Sequence, residues 1–162
     1  MRPICWPLNW NQNVPIGFAG AQILMDCTSH FRHRVHPGQK EYYRGDKGRH
    51  FLTAQVISNM QGIPLNVNIG LGHNNDQGMF NLTTRKFLKN ENIVGLTDRA
   101  YNHLLLIRPD CLQTMSLLGY QTIENYSKMH ASMRSPVEIL NGLVKKFYYS
   151  VKTCYQSPEF QA

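Results

Sequence analysis

The stretch AQILMD, residues 21–26, is a short, mostly apolar run that ends on a carboxylate, and its reading decides the fold. A run this short, bounded by turn residues, reads as a buried strand with Asp26 at its tip. Beyond it, HFRHRVH at 30–36 alternates apolar and basic residues as a partly exposed strand does, until His36-Pro37-Gly38 breaks it. Two more apolar runs behave like the first. IVGLT at 93–97 leads to Asp98, and LLLI at 104–107 is stopped by Arg108-Pro109. Between them and the first strand, RHFLTAQVIS (49–58), NMQG (59–62) and IPLNVNIG (63–70) read as strand, turn and strand. In that hairpin Leu65, Val67 and Ile69 are expected on one face and Asn66 and Asn68 on the other, with Pro64 marking an edge or a strand start. Arg44-Gly45-Asp46-Lys47-Gly48 reads as a basic turn before it.

Two segments carry helical spacing. Asp76–Asn90 places Met79, Phe80, Leu82, Phe87 and Leu88 as one helix would. Ser135-Pro136-Val137-Glu138 is the sequence of a capping box, with Ser at the cap, Pro at the first helical position and Glu two residues later. It predicts a helix start at Ser135 with Ile139, Leu140, Leu143, Val144 and Phe147 as its buried stripe. The whole order predicts an α/β fold, a mixed sheet with flanking helices. Residues 1–20, rich in Pro and Gly, read as an irregular N-terminal segment, 21–150 as one domain and 151–162 as a C-terminal tail. No internal repeat or low-complexity tract is present.

Composition narrows the function. With 42% hydrophobic residues among 162, the chain has the material for a core, which excludes a disordered basic tail. The longest purely apolar run is four residues, Leu104–Ile107, against the roughly 18–20 that a membrane-spanning helix needs. No secretory signal is legible at the start, so an intracellular protein is expected. Cys5, Cys27, Cys111 and Cys154 form no C-x-x-C pair and read as reduced thiols. Lys and Arg number 17 against 10 Asp and Glu, giving a formal net charge of +7. That excess points to a polyanionic partner.

With so few acids, each carboxylate that follows a buried strand wants a reason. Asp26, Asp98 and Glu138 fall at the ends of elements that a sheet and a packed helix bring together. Three converging carboxylates repel one another, and a divalent cation relieves that repulsion; Mg²⁺ takes a few carboxylates together with water and phosphate oxygens. On spacing alone, the same residues serve equally well as turn and helix caps. His30, His33 and His36, with Cys27, raise a zinc reading, but on a strand His33 points away from the other two. Arg32, Arg34, Lys40, Arg44, Lys47 and Arg49 cluster around Tyr42 and Tyr43, either as a solvated face or as a surface for phosphates.

Seven blocks in order, MDCTSH (25–30), HPG (36–38), YYRGDKGRHF (42–51), QVISNMQGIPLNV (55–67), NDQGMF (75–80), LTDRAY (96–101) and RSPVEILNGLVKKF (134–147), resemble the Harbinger-type transposases of the DDE endonuclease superfamily. The resemblance runs from residue 21 to about 147 and rests on the shared order of the blocks. It implies a ribonuclease H-like fold and a catalytic triad that holds Mg²⁺ or Mn²⁺ for DNA strand cleavage. By motif, the triad falls on Asp26, Asp98 and Glu138, with Asp76 as a further candidate metal ligand. It makes DNA the partner, Arg32, Arg34, Arg44, Lys47 and Arg49 the candidate DNA contacts, and the nucleus the expected location. Three positions depart from the family pattern. Asp26 stands one residue further from its His, the histidine before Asp76 is Asn75, and a glycine after Asp98 is Ala100, where a positive φ would strain the turn. The family's upstream DNA-recognition region has no counterpart in residues 1–20. The chain is therefore expected to be a catalytic domain from a fragmentary protein, dependent on a separate DNA-recognition protein, or a catalytically silent domesticated module.

Overall fold

The computed structural model describes Phe18 and residues 20–34, 36–110 and 120–146. Its elements run β1 (Ala21–Phe31), α1 (Gln39–Tyr42), β2 (Tyr43–Arg44), β3 (Arg49–Asn59), β4 (Pro64–Leu71), α2 (Asp76–Leu82), α3 (Arg85–Glu91), β5 (Val94–Leu96), β6 (Leu106–Ile107) and α4 (Tyr120–Val144). One sheet holds all six strands in the order β2-β3-β1-β5-β6, with β4 also paired to β3. The pairing of β3 with β1, β2 and β4 is antiparallel, whereas β5 runs parallel to both β1 and β6. This is the mixed sheet with flanking helices that the sequence predicts.

Because strand side chains alternate, β1 feeds two cores. Ile23 and Met25 join Ile57, Phe80, Leu88, Tyr101 and Leu106 under α2 and α3. Leu24 joins Phe18, Val56, Leu96 and Val137 under α4, and Ala21 joins them because the register shifts between Ala21 and Ile23. Phe18, within the segment expected to be irregular, is thus part of the core, and its ring stacks on Tyr126 at 4.9 Å. The 151–162 tail and Phe147 lie outside the described residues.

Several expectations are corrected. The first strand does not end at Asp26: β1 continues five residues further, so Asp26 is an interior residue of the central strand. The strand expected over 30–36 therefore stops at Phe31, because its first two residues belong to β1. In the hairpin, the register shifts between Ile57 and Ser58; Leu65, at that shift, packs with the α2 side core while Val67 and Ile69 stay 49% and 41% exposed. The bulge breaks the predicted alternation.

The single helix expected over 76–90 is two. Thr83 bonds the Met79 carbonyl through its hydroxyl at 2.7 Å and donates to Gln55 Oε1 at 2.9 Å, and the Thr84 hydroxyl reaches the same Gln55 oxygen. Gln55 is fully buried in β3, so a buried polar group fixes the break between α2 and α3.

The last helix does not start at Ser135. α4 begins at Tyr120 and carries Pro136 in its interior, and the Ser135 hydroxyl donates to the Ala131 carbonyl rather than capping. Tyr126, His130, Met133, Val137 and Leu140 recur every three or four residues and pack on the sheet, and this stripe outweighs the local cap signature. Tyr126 and His130 pin the helix to the β6 end by bonding the carbonyls of Arg108 and Ile107. In the predicted stripe, Ile139 and Leu143 are instead 63% and 49% exposed. Pro136 has its own partner: a Cβ built on Gly62, which lies in the hairpin turn with φ +81°, would come within 3.0 Å of the Pro136 Cβ. Only glycine fits a turn that is both left-handed and pressed against that ring.

Candidate metal centre

The site is built from strand register. Leu24 of β1 is paired with Leu96 of the parallel β5, so Asp26 and Asp98 each lie two residues further along neighbouring strands. Alternation turns Asp26 to the same side as Leu24, toward α4. There Asn141 Nδ2 donates to Asp26 Oδ2 at 2.8 Å, and Arg134 Nη2 approaches Asp26 Oδ1 at 3.5 Å. Asp98, just past β5, accepts from the Ala100 backbone N–H at 2.9 Å, an Asx turn that fixes its carboxyl. Asn92 is the one non-glycine residue with positive φ among the described residues. Ala100 therefore sits in its turn without the strain its replacement of glycine implied.

Asp76 arrives from the opposite side of the sheet, at the first position of α2, behind an Asn75 cap that accepts from Gly78 N at 2.7 Å. It belongs electrostatically to the same group. Burial, partly offset by Arg134 and reinforced by the Asp98 charge, pushes Asp26 above its usual range. Burial, then the charges of Asp98 and Asp26, push Asp76 the same way. The Cys27 thiol, next along β1 and bonded by the Tyr101 hydroxyl at 3.2 Å, is pushed up to about 12, first by burial. It is a partly buried neutral thiol rather than a nucleophile.

Glu138 stands apart from these aspartates. Its side chain is 53% exposed, and its Oε1 lies 3.6 Å from Arg134 Nη1. Arg134, Glu138 and Asn141 lie at helical spacings of four and three, on one face of α4. The guanidinium thus bridges the carboxylate of the central strand and the carboxylate of the helix. Accordingly, no three His, Cys, Asp or Glu side chains among the described residues already converge as a metal cage. Nor do His30, His33, His36 and Cys27 come together as such a group.

A divalent cation fits the chemistry of the acids. All the donors are carboxylate oxygens, the type Mg²⁺ and Mn²⁺ take. Two of them are held above their normal range by burial and mutual charge, a penalty that a bound cation removes.

The basic residues divide. Arg32 is buried, with its guanidinium 4.8 Å from the centre of the Tyr42 ring, so it is withdrawn from the candidate DNA contacts. Arg34, Lys40, Lys47 and Arg49 are exposed. Arg44 is clamped by Asp46 at 2.9 and 3.1 Å and shares the Ser29 hydroxyl with Lys47, at 3.0 and 3.1 Å. Lys47 and Arg49 lie over the Phe51 and Phe31 rings. Ser29 follows Asp26 by three residues on β1, and Asp76 feels the charges of Arg44 and Lys47. The positive patch therefore adjoins the acids.

Sequence reasoning missed Arg134, Asn141 and Gln55. The signal for the first two was their spacing from Glu138, legible once the helix is extended upstream of Pro136. Gln55, in an apolar strand, gave none.

A mixed sheet whose adjacent parallel strands present aspartates beside a carboxylate-bearing helix defines the ribonuclease H-like class of nuclease fold. Compared with known families, the chain matches the DDE superfamily endonuclease family over residues 25–160, and it belongs to that family. No curated protein and no solved structure gave a match. Among the described residues no helix is long and apolar enough to cross a membrane.

Proposed function

We propose that this chain is a divalent-metal-dependent DNA endonuclease domain of Harbinger-type transposase descent, acting in the nucleus, with Asp26, Asp98 and Glu138 as its catalytic acids and Asp76 as an auxiliary ligand. The observation that carries the reading is the β1–β5 register, which sets Asp98 beside a desolvated Asp26. Asp26, Asp98 and Glu138 would hold Mg²⁺ or Mn²⁺, singly or as a pair, which would supply a nucleophilic water at neutral pH and neutralise charge on the leaving phosphodiester oxygen. The protein's part is to hold the acids and to bring DNA to them. Asn141 fixes one oxygen of Asp26, the Ala100 turn fixes Asp98, and the patch of Arg34, Arg44, Lys47 and Arg49 seats the phosphate backbone. Contacts of this kind position DNA without reading its sequence, which leaves sequence choice to a separate DNA-recognition protein.

Metal linkage tests the reading. Mn²⁺ at about 100 times its dissociation constant is expected to raise the melting temperature by roughly 5–10 °C, and Asp98→Asn is expected to lose most of that rise. A melting curve indifferent to Mn²⁺ contradicts the proposal. A second reading, a catalytically silent DNA-binding or protein-interaction module, is favoured by the position of Glu138, half exposed and tied to Arg134. It predicts DNA binding without any metal response.

A further inference from the structure

The site contains a cation of its own. The Arg134 guanidinium lies 3.5 Å from Asp26 and 3.6 Å from Glu138, and its side chain is only 12% exposed. It therefore touches two of the three proposed catalytic acids at once. Both contacts are long beside the roughly 2.7–2.9 Å of a good charge-assisted hydrogen bond, and Arg134 Nε is buried without a hydrogen-bond partner. Arg134 is thus held by charge and enclosure rather than by a complete set of bonds. By contrast, Asn141 bonds the other Asp26 oxygen at 2.8 Å, a contact that can persist whatever occupies the site. Glu138 sits one helical turn from Arg134 and is half exposed, so a change of rotamer frees it without moving the backbone.

Resting on the metal-nuclease reading, we infer that Arg134 is a resident counter-cation: it holds Asp26 and Glu138 in the metal-free protein and gives up Glu138 when a divalent ion binds. Arg134 and the ion compete for the same carboxylate oxygens. Arg134 is a positioning residue in this scheme, and its effect is on metal affinity before it is on turnover. Removing its charge leaves the acids more negative and their oxygens unclaimed, so metal binding tightens while the metal-free protein loses stability.

The test is Mn²⁺ titration of the full chain by calorimetry at pH 8, without DNA, for wild type, Arg134→Gln and Arg134→Lys. Arg134→Gln is expected to bind Mn²⁺ about five- to tenfold more tightly than wild type, the scale of one partly screened charge pair, with Arg134→Lys closer to wild type. Equal or weaker binding by Arg134→Gln overturns the inference while leaving the metal site standing. Absence of Mn²⁺ binding by wild type overturns the metal reading and the inference with it. Should Arg134→Gln fail to fold, a crystal structure of the wild type with Ca²⁺ decides: Arg134 and Glu138 are expected more than 4 Å apart, and an intact pair beside a bound ion overturns the inference.

Discussion

Asp26→Asn is expected to abolish metal-dependent nicking of DNA and, in the same preparation, to raise the melting temperature of the metal-free protein at neutral pH. The two effects share one cause. Burial is the largest influence on Asp26 and pushes its pKa up, with the Asp98 charge adding to it and Arg134 and Asn141 only partly offsetting it. A carboxyl whose folded pKa is raised binds more protons in the native state than in the unfolded state. Its contribution to stability is therefore complete below the unfolded pKa and is lost as pH rises through the folded one. Above its raised pKa the ionised Asp26 is a liability that a neutral amide removes. The expected gain is about 1 kcal/mol, or roughly 2–4 °C for a domain of this size. As pH falls toward the carboxylate range, wild type recovers its proton and the advantage of Asp26→Asn disappears. Buried His130, whose pKa burial pushes down, works in the opposite direction in both proteins and cancels in the difference. Thermal melts of both proteins across pH 4–8 measure this, and a variant less stable than metal-free wild type at pH 7 contradicts it.

The second large effect is on DNA. Lys47 and Arg49 are exposed, lean on aromatic rings and lie on the patch that adjoins Asp76. Lys47→Glu with Arg49→Glu is expected to weaken binding of a duplex oligonucleotide more than tenfold at about 0.1 M salt and to lower the salt slope by about 2, since each phosphate contact contributes roughly 0.9. Because both side chains are surface groups, the melting temperature should change little. Fluorescence anisotropy over a salt series reads both quantities. A variant with the wild-type slope would remove this patch from the DNA path.

How far the sequence speaks depends on which physics dominates at each element. Apolar runs and their turns place β1, β3, β4 and β5 and their order along the chain, because burial in strands leaves a plain pattern. Asp98 and Asp26 are legible as acids that follow or interrupt such runs. The end of β1 is not legible: Thr28 and His30 are buried polar residues, so the strand continues past the point where its apolar run stops. At α4 a strong local signature, Ser135 to Glu138, competes with a stripe of Tyr126, His130 and Met133 whose meaning comes from the sheet beneath it. Tertiary packing wins there, as it does at Thr83 and Thr84, where Gln55 breaks the helix from the neighbouring strand. The Arg134 bridge follows from that same extension of α4. A helix beginning at Ser135 would have left Arg134 outside it.

The central claim is that the paired strand aspartates serve metal-dependent cleavage of DNA, and nicking of supercoiled plasmid measures it most directly. With Mg²⁺ or Mn²⁺, wild type is expected to convert supercoiled to open-circular DNA, EDTA to stop it, and Asp98→Asn, although folded, to leave the plasmid intact. Wild-type nicking by Asp98→Asn, or nicking that survives EDTA, would contradict the account.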